Sequence, residues 1–166
     1  MRLVDGRARL MGALPEGGGM MSVSLPPDEL DVPDGLDIAA VNGPRSTVVS
    51  GDQDALDALA SVLSDAGVRC RRLRVSHAFH SHRMNPMLEE FRALVNDIPM
   101  SAPGVALCSA MSEGQPTEAD FWVRHVREPV RFDLAVARAE GIDTWVEVGL
   151  HTTLACLLYT SPSPRD

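Results

Sequence analysis

Apolar residues recur at helical spacing in three parts of the chain and bunch at strand spacing between them. After Asp52, residues Leu56, Leu59, Ala60 and Leu63 fall at i, i+3, i+4 and i+7. That spacing predicts one buried helix face, ended by Gly67. Met84, Met87, Leu88, Phe91, Leu94 and Val95 repeat the pattern, with Asn85-Pro86 as the expected cap and first helical position. Leu3, Ala8, Leu10, Met11 and Leu14 make a looser stripe, stopped by Pro15 and the glycines that follow.

Between the stripes lie short apolar runs. "MMSVSL" (20–25), "LDIAAVN" (36–42) and "STVVSG" (46–51) read as strands, the last two as a hairpin joined through "GPR". "PPDELDVP" (26–33) suggests a short helix opened by Pro and acidic residues. "VRCRRLRVS" (68–76) reads as a strand with arginines on its wet side. From about 20 to 75 the order is strand, helix, strand, strand, helix, strand, the split βαβ pattern of a ferredoxin-like unit. Beyond it, "VALCSA" (105–110) and "TWVEVG" (144–149) read as strands, the first of buried type. Residues 118–141 read as helical in pieces, broken at Pro129. The expected class is α/β with an α+β insert.

Composition narrows the function. At 166 residues and 45% apolar content the chain suits one globular domain with a usable core. A net charge of −8 argues against a nucleic-acid surface. All 15 basic residues are Arg, which reflects coding from a GC-rich genome more than a physical demand. Cys70, Cys108 and Cys156 are odd in number and form no CxxC pair, so neither a disulfide framework nor a zinc knuckle is expected. A cytoplasmic location is the default. No apolar run reaches the roughly 18 residues of a membrane span, and the start lacks the apolar middle of a signal peptide.

Both ends look irregular. "MRLVDGRARLM" reads as mid-helix without a capping signal, so an internal fragment is expected. "CLLYTSPSPRD" (156–166) is similar to the translation of a transposon-type sequencing adapter, and is expected to be a non-native tail.

Candidate chemistry concentrates in "RVSHAFHSHRM" (74–84). His77, His80 and His82 allow three readings. A metal site needs about four ligands, and no Cys pair or carboxylate lies nearby in sequence. A polar loop between strand and helix needs no chemistry. A neutral imidazole at a strand end, just before a helix, suits a general base. A base needs a nucleophile, and no GxSxG elbow occurs within these residues. Spacing alone leaves the three open.

"VSHAFHSHRMNPMLEEF" resembles the malonyl-type signature of acyltransferase domains in modular type I polyketide synthases. "RARLMGALPEGGGMMSV", "AAVNGPRSTVVSGD", "WVRHVREPVRF" and "WVEVG" resemble the same family in order and spacing. The resemblance covers nearly all of residues 1–155. It implies an α/β-hydrolase-like subdomain (1–17 and 77–155) with a ferredoxin-like insert (18–76). It also implies ping-pong transfer of a malonyl unit from malonyl-CoA, through a serine acyl-enzyme, to the phosphopantetheine thiol of an acyl carrier protein. No metal or cofactor is implied, and a ketosynthase is the expected neighbour.

Carried over residue by residue, the resemblance makes His80 the base that activates the serine. His77, Ala78 and Phe79 become walls of the acyl pocket. Phe79 stands where methylmalonyl-selecting relatives hold a small serine, and one methyl is worth only about 1–3 kcal/mol of discrimination. Arg7 aligns with the arginine that holds the malonyl carboxylate, a bidentate task suited to guanidinium. His125 falls where the family holds a polar residue beside the imidazole, as the third member of a triad would sit. Asn42 matches a recurrent asparagine for which a turn role is at least as good a reading. His82 is expected to be a helix-opening residue without chemistry.

"SAMSEG" and "EVGLHTTL" depart from the family wording. The serine elbow would precede residue 1, so this stretch alone is expected to be inactive. Leu3, Leu10 and Met11 are expected to lie exposed. Rival readings are a discrete transacylase of fatty acid synthesis, or a non-catalytic ferredoxin-like docking module.

Overall fold

The computed structural model describes residues 2–111, 114–149 and 153–160. Helix α1 (Arg2–Gly12) leads into strand β1 (Gly18–Val23). Strands β2 (Leu36–Gly43) and β3 (Ser46–Asp52) follow as an antiparallel hairpin. Helix α2 (Gln53–Asp65) and strand β4 (Cys70–Arg72) come next. The sheet runs β4-β1-β3-β2, and β1 pairs antiparallel with both β3 and β4. The strand order is that of a split βαβ unit, but its first crossover carries no helix. "PPDELDVP" forms turns instead: Pro26, Pro27 and Pro33 remove three backbone donors within a stretch too short to nucleate.

The sheet buries its two faces differently. Met21, Val23, Leu36 and Val49 pack under Leu56, Leu59 and Leu63 of α2, as the helical stripe predicts. Met20, Ala39 and Val48 look the other way, toward Leu73 and Phe79. Gly51 joins the hairpin to α2 in a conformation closed to side chains. Its φ is +155°, and a Cβ there would lie 2.1 Å from the Gly35 carbonyl oxygen.

The second body is helical. A 3₁₀ helix (His82–Met87) runs into α3 (Leu88–Asn96). Ser81 caps the former, its hydroxyl accepting from the Arg83 amide, and Pro86 sits inside it. The helix therefore starts before the expected Asn85-Pro86 cap, and its first turn is tightened. Helix α4 (Ala119–Arg127), strand β5 (Val130–Arg131) and helix α5 (Phe132–Arg138) follow, with Pro129 at the predicted break. β5 adds a fifth strand, parallel to β2. Leu10, Met11 and Leu14 of the first segment are buried against Met84, Met87, Phe91, Val95, Val123 and Val126. Leu10 and Met11 are therefore not exposed, and Leu3 is partly buried against the same cluster. The helical body itself covers them. Each such side chain contributes about 1.5–3 kcal/mol by leaving water.

Two predicted strands are missing. Residues 105–110 and 144–149 have no regular secondary structure, and Val105, Leu107, Val146 and Val148 are exposed. Strands need a ladder of hydrogen bonds, and the first run has one bond to a described strand, from the β5 amide of Arg131 to the Ala110 carbonyl at 2.8 Å. Helix α6 (Thr153–Thr160) crosses the expected tail boundary at Cys156. Residues 161–166, and parts of "SAMSEG" and "EVGLHTTL", lie outside the described residues. No described helix is long and apolar enough to cross a membrane.

Candidate active site

The histidine segment crosses from the sheet to the helical body. Ala78 is buried on Gly18 of β1, where an added Cβ would come within 2.8 Å of the Ala78 methyl. Ser81 braces the loop from within, donating to the Ala78 carbonyl at 2.6 Å. Phe79 wedges between the sheet cluster and the helical cluster. His80 then takes φ +57°, the one positive value among described non-glycine residues. A non-glycine residue there is strained and persists only where its surroundings over-determine it.

The His80 ring is held from the far side. Its Nδ1 lies 3.0 Å from the backbone carbonyl of Glu128. A carbonyl oxygen only accepts, so Nδ1 carries the proton and Nε2 keeps its lone pair. That carbonyl is available because α4 stops at Arg127. Pro129 forces Glu128 into extended backbone, φ −81° and ψ 160°, which turns its carbonyl off the helix. The Arg124–Glu128 side-chain pair, 2.7 Å, braces the corner.

Burial pulls His80 down to about 4, and the nearby Arg7 and His125 push the same way, against the Glu128 hydrogen bond. The ring is therefore neutral at pH 7. Arg7 comes from α1, is itself lowered by burial, and leaves its Nε buried without a hydrogen-bond partner. His125 is lowered by burial and then by Arg7. Its ring packs near Phe121 and Trp122, with centroids 6.1 and 6.2 Å away.

The structure thus brings Arg7, His80 and His125 into one electrostatic neighbourhood. His125 does not supply the orienting hydrogen bond expected of it; the Glu128 carbonyl does. A main-chain acceptor carries no residue signature, and only the Glu-Pro step hints at it. His77 is tied to the end of the first segment, with Nε2 3.2 Å from the Leu14 carbonyl and Nδ1 3.0 Å from Ser76 Oγ. Its ring centroid is 6.1 Å from that of Phe79. Ala78 has 1% of its surface exposed, so it supports Phe79 and His80 from below rather than facing a cavity.

His82 has more to do than open a helix. Its backbone amide and Nδ1 both reach Asp37 Oδ2, at 2.8 and 3.0 Å, and its Nε2 lies 3.5 Å from Asp52. Arg83 donates to Asp52 at 2.6 Å, and Arg127 to Asp37 at 2.8 Å. Nothing in the spacing of these residues predicts that they meet. Among the described residues, no group of three or more His, Cys, Asp or Glu side chains is arranged to hold a metal ion. A polar cleft of about 440 Å³ lies between Gly17, Asp52, Gln53 and Arg83, apart from His80.

A family model described as "Acyl transferase domain" matches residues 1–161. The chain is 44% identical to the polyketide synthase GfsA of Streptomyces halstedii over 167 aligned residues, covering 93% of this chain and 2% of that protein. It is 40% identical to the phenolphthiocerol synthesis polyketide synthase type I Pks15/1 of Mycobacterium marinum, covering 99% and 8%. Among solved structures, the acyltransferase domain from the second module of the salinomycin polyketide synthase superposes with a TM-score of 0.91 at 42% identity. There the chain covers 99% of itself and 41% of that domain. A malonyl CoA-acyl carrier protein transacylase from Clostridium perfringens shares the fold, with a TM-score of 0.82 at 24% identity over 95% of this chain and 55% of that one.

Proposed function

Because the chain belongs to the acyl transferase domain family, in the form found in modular type I polyketide synthases, we propose that it serves the transfer of a malonyl unit from malonyl-CoA to an acyl carrier protein. The observation that carries this reading is the His80 ring. It is neutral, protonated at Nδ1 by its bond to the Glu128 carbonyl, and so free to accept a proton at Nε2.

In this reading Nε2 takes the proton of a serine hydroxyl as the oxygen attacks the malonyl thioester. The coenzyme A thiolate leaves and collects that proton. The same nitrogen then accepts the proton of the phosphopantetheine thiol as its sulfur attacks the acyl-serine, and returns it to the serine oxygen. Arg7 stands close by with a buried, unpartnered Nε, and its charge is matched to the malonyl carboxylate. Phe79 narrows the acyl site against an added methyl, with His77 beside it. The chemistry requires no metal or organic cofactor. The expected setting is cytoplasmic, beside a ketosynthase and a carrier domain. Residues 1–166 contain no GxSxG elbow, so alone they are proposed to form no serine-linked acyl adduct.

The test uses an acyltransferase domain carrying both this chain and a serine elbow. His80→Ala is expected to lower acyl transfer by about 10²–10⁴-fold, the usual worth of a general base. Arg7→Ala is expected to shift preference from malonyl-CoA toward acetyl-CoA. Wild-type turnover in the first variant would refute the base, and unchanged selectivity in the second would refute the clamp.

A further inference from the structure

We propose that Asp37 is a positioning residue for His80, joining the segment that carries the imidazole to the segment that carries its orienting carbonyl. The inference rests on the reading of His80 as the base, and adds a residue to which neither the sequence nor the family resemblance assigns a role.

The connection is a closed ring. Two residues after His80, the His82 amide and Nδ1 donate to Asp37 Oδ2 at 2.8 and 3.0 Å. The other carboxylate oxygen accepts from Arg127 Nη2 at 2.8 Å. Arg127 immediately precedes Glu128, whose carbonyl holds His80 Nδ1 at 3.0 Å. His80, Ser81, His82, Asp37, Arg127 and Glu128 therefore form one loop of covalent and hydrogen bonds. Asp37 is the member that stands on a sheet strand, opposite Ser50 of β3, so the loop has a rigid anchor.

The charges around it are consistent with an ionised anchor. Burial alone would raise the Asp37 carboxyl, but the His82 amide, the His82 ring and Arg127 together hold it below the ordinary carboxylate value. On the far side of His82 stand Asp52 and its partner Arg83. Asn85 steadies Arg127 by accepting from its Nε at 3.0 Å. Around the His80 ring itself the charged or titratable groups are Arg7 and His125.

The consequence is chemical. A free neutral imidazole favours its proton on Nε2, the nitrogen that must stay unprotonated to act as base. The hydrogen bond from Nδ1 reverses that preference, and it lasts only while residues 80 and 128 keep their spacing. The β5–β2 pairing also holds the chain after Glu128, so the experiment must show that this pairing is not sufficient.

The tautomer of each histidine ring is read by long-range ¹⁵N–¹H NMR on the chain at pH 7, for wild type, Asp37→Ala and Arg127→Gln. Wild-type His80 is expected to be protonated at Nδ1. Both variants should move the Nε2–H to Nδ1–H ratio by about tenfold, the worth of one net hydrogen bond, with the amide spectrum of the sheet unchanged. If Asp37→Ala fails to fold, Arg127→Gln decides alone, since it leaves the Asp37–His82 pair in place. An unchanged His80 tautomer in a folded variant overturns the proposal. The readout does not use catalysis, so an error in the base assignment would show separately, as wild-type turnover in His80→Ala.

Discussion

A neutral, half-buried imidazole makes the protein sensitive to acid in a calculable way. The unfolded chain takes up a proton at His80 near pH 6.5, whereas the folded chain resists it until about pH 4. Between those values the unfolded state binds more protons, so folding stability falls as the pH falls. The span corresponds to roughly 3 kcal/mol, an upper figure because the ring is not wholly out of water. That is a large share of the 5–15 kcal/mol typical of a domain.

His80→Asn isolates the effect. Asn tolerates the left-handed backbone at this position, its amide can donate to the Glu128 carbonyl, and it does not titrate. Denaturant unfolding followed by circular dichroism, at steps from pH 7 to pH 4, gives both stability curves. His125 is shifted in the same direction and remains in both proteins. Asp37 and Asp52 are held low, so their stabilisation is lost only below the ordinary carboxylate range. Wild type is therefore expected to lose about 2–3 kcal/mol more than His80→Asn across this interval. Parallel curves would refute the claim that the His80 ring is half-buried in its neutral form.

Two further perturbations test the frame around the site. Gly51→Ala should destabilise by about 3 kcal/mol or more, because its Cβ would meet the Gly35 carbonyl at 2.1 Å; a melting temperature within a degree of wild type would contradict that geometry. Met84, with 0% of its surface exposed, lies at the centre of the helical core, and Met84→Ala should cost about 2–5 kcal/mol in urea unfolding; a loss under 1 kcal/mol would mean that the core is not packed as described.

Much of the local structure could be read from spacing. The stripes at 56–63 and 84–95 bury most of the residues that the pattern selects, with Ala60, Leu88 and Leu94 half-buried, and the hairpin pairs at its "GPR" turn. Spacing failed where an element depends on neighbours distant in the chain. "VALCSA" and "TWVEVG" have strand composition, yet a strand exists only beside another strand. "PPDELDVP" has helix-opening residues but too few donors to continue a helix. The expectation that Leu10 and Met11 lie exposed rests on a central sheet they would otherwise pack on, and nothing local shows that the 3₁₀ helix, α3 and α4 cover them instead.

The site divides along the same line. The expected roles of His80 as a base and Arg7 as a partner for an anion come from the family resemblance of "HAFHSH" and "RARLM", since residue identity and spacing alone leave the histidine readings open. Sequence order could not show that α1 brings Arg7 and α4 brings His125 to the same ring, or that the orienting group is a main-chain carbonyl released by Pro129. Nor could it show that Asp37 ties both segments to the sheet. A backbone acceptor has no side-chain identity to read, and a hydrogen bond between residues 37 and 127 exists only once the sheet and the helical body have packed.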